Sequence, residues 1–206
     1  MARLTGNDQT FLMSSTVLGL VRASHPEPAA AVTTVSGLLA VGVGHRPAGV
    51  LAVVLSVLAS QLAVGWTNDL LDADRDATVG RTDKPVATGA VRRRTVAVGA
   101  TAAALATPAL GLTTTPAAAL AVSVALVSAL LYDWPLKSTP VSVLPYAVSF
   151  GLLPAFVVLA LPGAPAPPVW LVAAGALLGA GAHFANVLPD LVDDARTGVR
   201  GLPHRL

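Results

Sequence analysis

The sequence predicts an all-α integral membrane protein, a multi-helix transmembrane bundle with six spans in a chain of 206 residues. Three observations predict it. Hydrophobic residues make up 54% of the chain and charged residues 12%, against about 25% charged in an ordinary soluble domain, and the mean hydropathy is +0.70. Uncharged stretches near the roughly 20 residues that cross a bilayer occur at 28–44, 47–66, 95–112, 116–131, 141–161 and 168–187. With those spans drawn, 12 of the 13 basic residues fall on one side, leaving only Arg46 opposite, and basic residues favour the cytoplasm.

The elements follow in order. Residues 1–25 read as a cytoplasmic N-terminal segment; Thr10–Val21 is too short to span and reads as an interfacial helix. No small-residue cleavage site follows it before Arg22 and the Pro26/Pro28 pair, so it is expected to stay attached. Span one is 17 residues rich in Ala, Gly and Thr, and its place rests partly on topology. Span two runs into the first acidic segment and a loop with Arg75, Arg81, Lys84 and Arg92–Arg94, the last three reading as positive-inside anchors. Thr113-Thr114-Thr115 joins spans three and four on the far side, and Tyr132-Asp133-Trp134-Pro135-Leu136-Lys137 follows span four on the near side. Pro145 and Pro154 predict a kinked span five. Gly175, Gly179, Gly181 and Ala182 predict close helix packing at span six. Trp66 and Trp134 at inner ends and Trp170 at an outer end suit an aromatic belt. The expectation is a multi-pass protein of the cell membrane, with the N-terminus and all 11 acids on the cytoplasmic side.

Seven of those 11 acids lie in two segments, Asn68-Asp69-Leu70-Leu71-Asp72-Ala73-Asp74-Arg75-Asp76 and Asn186-Val187-Leu188-Pro189-Asp190-Leu191-Val192-Asp193-Asp194. Both read N-x-x-x-D-x-x-x-D. On a helix, residues four apart share a face, so each segment is expected to present an amide and two carboxylates as one stripe: Asn68, Asp72 and Asp76; Asn186, Asp190 and Asp194. Asp69 faces the edge of that site, while Asp74 and Asp193 lie off it. The chain has no cysteine, which excludes thiolate metal sites, thiol nucleophiles and disulfides. Hard oxygen ligands suit Mg²⁺, an ion that usually completes its octahedron with water and substrate phosphates. The pattern therefore predicts a divalent-cation site in two halves and a phosphorylated substrate, with Lys84 and Lys137 as candidates for its remaining charge. Gln61 is seven residues before Asn68, and His183 is three before Asn186, so both point toward the site. The alternative for each is a hydrogen bond to a neighbouring helix. Nucleic-acid binding is not expected, because the pI near 9.5 comes from loop lysines and arginines of a membrane protein.

These residues resemble the UbiA superfamily of intramembrane aromatic prenyltransferases. Residues 68–76 match its N-D-x-x-D-x-x-x-D signature, and Asp190 with Asp194 matches its D-x-x-x-D signature. Arg22 resembles the family's N-terminal arginine, Asp83-Lys84-Pro85-Val86-Ala87-Thr88-Gly89 its R-P-x-x-S/T-G loop, with lysine where arginine is common, and Tyr132 with Leu136-Lys137 its Y-x-x-x-L-K element. The resemblance implies two Mg²⁺ ions on Asn68, Asp72 and Asp76 and on Asp190 and Asp194. It implies an isoprenyl diphosphate bound through Arg22, Lys84, Tyr132 and Lys137, and a lipophilic acceptor nearby, with Gln61 and His183 as candidates for the acceptor cavity. Catalysis would rest on Asp72, Asp76, Asp190, Asp194 and Lys137. The family fold has nine transmembrane helices, so residues 1–206 are expected to form a single UbiA-like domain incomplete at its C-terminus; if the natural product ends there, its activity would need a partner or an oligomer. Two other classes stay open: a terpene cyclase on the same scaffold, and a non-catalytic relative or cation carrier.

Overall fold

A computed structural model describes residues 16–206. Of the segment Thr10–Val21, residues 10–15 lie outside the described residues. Helix α1 is described over residues 16–23. It is followed by α2 (Pro26–Gly42), α3 (Pro47–Thr78), α4 (Arg93–Leu112), α5 (Pro116–Asp133), α6 (Val143–Leu159), α7 (Val169–Val187) and α8 (Leu191–Arg196). Short 3₁₀ turns cover Leu136–Ser138, Leu188–Asp190 and Leu202–Arg205. There is no strand among the described residues.

Each of the six expected spans is a helix. Four elements are long and apolar enough to cross a membrane: Pro47–Thr78, Arg93–Leu112, Pro116–Asp133 and Val169–Arg196. Val143–Leu159 is a shorter apolar helix, and Pro26–Gly42, at 17 residues, is as short as its sequence predicts. Three helices open on proline, at Pro26, Pro47 and Pro116, where the missing N–H has no helical acceptor to lose and φ is already helical. Thr115 caps α5, accepting from the Ala118 N–H at 3.1 Å and donating to the Leu159 carbonyl at 2.7 Å. One hydroxyl thus starts α5 and ties it to the end of α6.

Helix α3 departs most from expectation. It continues 12 residues past position 66 and reaches 32 residues, about 48 Å at 1.5 Å per residue. No proline or glycine interrupts residues 66–78, and the chain turns only at Gly80, φ 74. The extension carries the first acidic segment beyond the apolar layer on a rigid rod. In α6, Pro145 falls in the first turn and Pro154 in the interior, so only the second removes a helical hydrogen bond.

Successive helices from α2 to α7 pack on one another, and α2 with α6 and α3 with α5 close the middle of the bundle. The core is built of small apolar side chains, Val53, Val57, Ala118, Ala121 and Val122, around Phe156. Hydroxyls bridge helices inside it: Ser56 donates to the Thr107 carbonyl and Ser149 to the Ala125 carbonyl, both at 2.9 Å. Between α6 and α7 the approach is closer. A Cβ on Gly179 would stand 2.5 Å from the Tyr146 carbonyl oxygen, and one on Gly175 would strike the Phe150 carbonyl. Gly181 has nothing within 4 Å, so of the small residues expected to pack α7, Gly175 and Gly179 do so and Gly181 does not. Outward faces carry large apolar residues such as Leu105, Leu120 and Leu177, the exterior that a hydrocarbon solvent requires.

Candidate active site

A cavity of about 370 Å³ opens between α2, α3, α5, α6 and α7 and is roofed by the α3–α4 loop and the chain after α8. On α3, the lining runs from Val57 through Gln61 and Val64 to Asn68, Asp72 and Asp76. The unbroken helix puts Val57 about 16 Å deeper than Asn68. Leu153 and Phe156 of α6 join the apolar wall. The cavity therefore has a charged mouth and an apolar interior.

The first stripe forms as its spacing predicts: Asn68, Asp72 and Asp76 all line the mouth. The second does not form on one helix. Helix α7 ends at Val187, Leu188-Pro189-Asp190 makes a 3₁₀ turn, and α8 starts at Leu191, because Pro189 has no N–H to continue the ladder. Asn186, Asp190 and Asp194 nevertheless all line the cavity. Asp193 pairs outward with Arg196 at 3.3 Å, and Asp74 pairs outward with Arg93.

Asp69, which the resemblance also implies as a metal ligand, sits apart from the acids of the stripe. It is outside the cavity lining and 1% exposed; its Oδ2 accepts from the Val86 N–H at 3.2 Å, and its Oδ1 lies 3.6 Å from Lys84 Nζ. One residue on from Asn68 the helix has turned by about 100°, toward the α3–α4 loop, which Asp69 anchors. Arg22 is exposed and stands outside the lining. His183 is fully buried and also outside the lining, with Nε2 3.0 Å from Ser142 Oγ and its ring against Tyr132 and Tyr146. It takes the interhelical alternative weighed for it. Gln61, Lys84, Tyr132 and Lys137 do line the cavity.

Basic side chains cross-link the two acidic segments. Lys137 Nζ contacts Asp72 Oδ1. Arg75 donates to Asp72 Oδ2 at 2.9 Å and to Asp194 Oδ1 at 3.1 Å. Arg81 reaches Asp190 Oδ1 at 3.0 Å and forms a two-pronged pair with Asp83, both prongs at 2.9 Å. That pair holds the Asp83 carboxyl down at about 2 and raises the already high pKa of Arg81. His25 Nε2 lies 3.2 Å from Lys84 Nζ.

The sequence reading passed over Asp133. It ends α5, lines the cavity and is 3% exposed. Asn68 Nδ2 bridges it to the first stripe, donating to Asp133 Oδ1 and Asp72 Oδ2 at 3.2 Å each. The available signal was an acid at the end of an apolar span, four residues before Lys137.

Among the described residues, no three acidic or histidine side chains already converge on one point that could hold an ion; the cations stand between them. The donor set still fits Mg²⁺. Five carboxylates and two amides line one mouth, all hard oxygen donors, and buried Asp76 Oδ2 and Asp133 Oδ2 have no hydrogen-bond partner.

Helix count, apolar exterior and a cavity lined at one end by acids and bases define an all-α integral membrane protein with a charged cavity mouth. Residues 29–206 match the UbiA prenyltransferase family, and the chain belongs to that family. Among solved structures, it is similar to a UbiA homolog from Archaeoglobus fulgidus bound to GPP and Mg²⁺, with 21% identity over 91% of this chain and 69% of that one, at a TM-score of 0.75. It is also similar to an apo UbiA homolog from Aeropyrum pernix K1, with 22% identity over 93% and 70% and a TM-score of 0.70. A digeranylgeranylglyceryl phosphate synthase shares 17% identity over 95% and 69%, with a TM-score of 0.72. At these identities the likeness is one of fold. Comparison with curated proteins gives no match.

Proposed function

We propose that this protein transfers an isoprenyl group from an isoprenyl diphosphate to an aromatic or other lipophilic acceptor inside the membrane, in a Mg²⁺-dependent reaction. One observation carries the proposal: the Asn68–Asp72–Asp76 stripe and the Asn186, Asp190 and Asp194 side chains around the α7–α8 turn face one cavity whose charged mouth leads to an apolar interior. The Archaeoglobus homolog's complexes with GPP or DMAPP and Mg²⁺ support the same donor class here.

The residues divide the work. Asn68, Asp72, Asp76, Asn186, Asp190 and Asp194 would hold Mg²⁺, which when bound neutralises the diphosphate and stabilises it as a leaving group. Lys84, Arg75, Arg81 and Lys137 supply N–H donors to its outer oxygens, exchanging part of their carboxylate contacts for phosphate. Val57, Val64, Leu153 and Phe156 receive the isoprenyl tail and keep water from the allylic cation. Gln61, one turn or more inside the mouth, and Tyr132 border the space for the acceptor. The C1–O bond of the donor breaks, the acceptor carbon or heteroatom bonds to C1, and the acceptor gives up one proton. We place this chemistry on the cytoplasmic side, where the basic residues concentrate.

The test is calorimetric titration of the detergent-purified protein with a non-ionising isoprenyl diphosphate analogue, with and without EDTA. Binding that disappears with EDTA is expected, since a diphosphate cannot sit beside these carboxylates without a bridging cation. Equal affinity in both conditions refutes the metal-dependent reading. Product analysis with the natural donor separates the routes: a hydrocarbon or terpenol formed without acceptor would assign the cavity to cyclisation.

A further inference from the structure

We infer that His25 is a positioning residue of the diphosphate pocket, whose ring nitrogen holds the Lys84 ammonium at the cavity mouth; the inference rests on the donor reading above. The backbone is the first indication. His25 has φ 53 and ψ 69, the left-handed region that costs a residue with a Cβ about 1 kcal/mol or more. Such conformations persist only where the surroundings over-determine them, and they concentrate at ligand sites. Ala164, the other non-glycine residue with positive φ among those described, is not part of this cavity's lining; His25 is.

What over-determines the turn is visible on both sides of it. Trp66 Nε1 donates to the Leu20 carbonyl at 2.9 Å, pinning the end of α1 to α3. One residue earlier, a Cβ on Gly65 would stand 2.5 Å from the Ser24 carbonyl oxygen, so the bare glycine lets residues 24–25 lie directly on α3. Pro26 then starts α2. Between these restraints the imidazole is delivered into the cavity while Arg22, three residues earlier, stays outside.

The contact it makes there has a definite polarity. An ammonium only donates, so at 3.2 Å His25 Nε2 is the acceptor from Lys84 Nζ and the ring is neutral. Burial, then the Lys84 charge, lowers the His25 pKa below its ordinary 6.5, in keeping with that role. Asp69 Oδ1 stands 3.6 Å from the same Nζ, an ion pair without a hydrogen bond, so the ammonium keeps N–H donors for an anion in the cavity. A flexible lysine lacks the rigid fork of arginine. Here two partners supply the orientation that the side chain does not.

The experiment uses the whole chain in lipid nanodiscs and a thiolo analogue of geranyl diphosphate, titrated calorimetrically with Mg²⁺ present, alongside steady-state kinetics. His25→Gly removes the ring without adding strain, because glycine accepts this φ; His25→Asn keeps an oxygen acceptor on a residue tolerant of it. His25→Gly is expected to weaken the analogue about tenfold and raise KM similarly, with kcat within about twofold. His25→Asn should recover part of the loss, and in a Lys84→Met background His25→Gly should have no further effect. Losses that multiply in the double variant, or an unchanged affinity in His25→Gly, overturn the assignment while leaving the donor reading intact. A wild-type protein that fails to bind the analogue overturns both.

Discussion

Asp72 on α3 and Asp190 in the turn between α7 and α8 approach one cavity from segments far apart in the chain, and removing each carboxylate singly and together asks whether they form one site. Asp72 is buried, with its oxygens on Lys137, Arg75 and Asn68, so Asp72→Ala removes both the oxygen ligand and the anchor for two cations. A loss of roughly 10²–10³ in turnover, about 3–4 kcal/mol of transition-state stabilisation, is expected from the removal of one such electrostatic group. Asp190→Ala should cost a comparable factor although its side chain is 47% exposed, because its worth lies in the bound state rather than in the Arg81 pair. Asp193→Ala is the control: it breaks an exposed pair with Arg196, which is worth about 0–1 kcal/mol. Independent sites would multiply to about 10⁴–10⁶ in the double variant; a shared clamp should lose no more than about tenfold beyond the worse single. Steady-state prenyl transfer with labelled donor measures all four. Multiplicative losses at Asp72 and Asp190 would show that the two segments serve separate sites.

Gly179→Val should lower the thermal unfolding midpoint in detergent by several degrees, since its Cβ would meet the Tyr146 carbonyl and the Phe150 side chain, an overpacking that costs about 1–3 kcal/mol; Gly181→Val, facing open space, should not. A cysteine at exposed Arg200 should resist a membrane-impermeant maleimide in intact cells and one at exposed Ala166 should react; the reverse pattern refutes the orientation. Because His25 is held neutral with its folded pKa below 6.5, the unfolded chain takes up a proton first as pH falls. Stability should therefore decline below 6.5 until the folded pKa is reached. The unfolding midpoint of His25→Gly, followed across that window, should show a shallower decline, and an identical slope would refute the assignment.

How much of the site was legible depended on whether its determinants were local. The stripe Asn68, Asp72 and Asp76 was, because residues 66–78 contain nothing that breaks a helix and four-residue spacing then fixes a common face. The second segment has the same spacing, yet Pro189 divides it; a helical face does not extend through that proline, and the convergence of Asn186, Asp190 and Asp194 comes instead from the turn. Long-range partners were out of reach. Asp69 is claimed by the Val86 N–H, and His183 by Ser142, 41 residues away. Asp133 joins the site through Asn68, 65 residues away. Arg22 and His25 differ by three positions, but which one enters the cavity is decided by a left-handed turn seated against Gly65, and a side-chain pattern does not encode that.

The pairing of acids with Arg75, Arg81 and Lys137 has a physical necessity. Carboxylates from α3 and from the α7–α8 turn cannot line one partly buried mouth without opposite charge between them, since like charges at this range disfavour ionisation of both. Each bridging base also carries a cost if it is simply removed: a buried or half-buried partner left alone loses more than the pair contributes. Arg75, in contact with both Asp72 and Asp194, therefore holds the two halves at a fixed separation before any cation or diphosphate arrives. On the proposed function, a metal-bound diphosphate would bring both charges at once, so the acids and bases could exchange partners without either being left uncompensated. A free divalent cation would compete with Arg75 and Lys137 for the same carboxylates, and a free diphosphate would meet the carboxylates' repulsion. The proposed function therefore predicts that the mouth takes the metal–diphosphate complex in preference to either component alone, an expectation that rests on the charge balance of the mouth rather than on any single ligand in it.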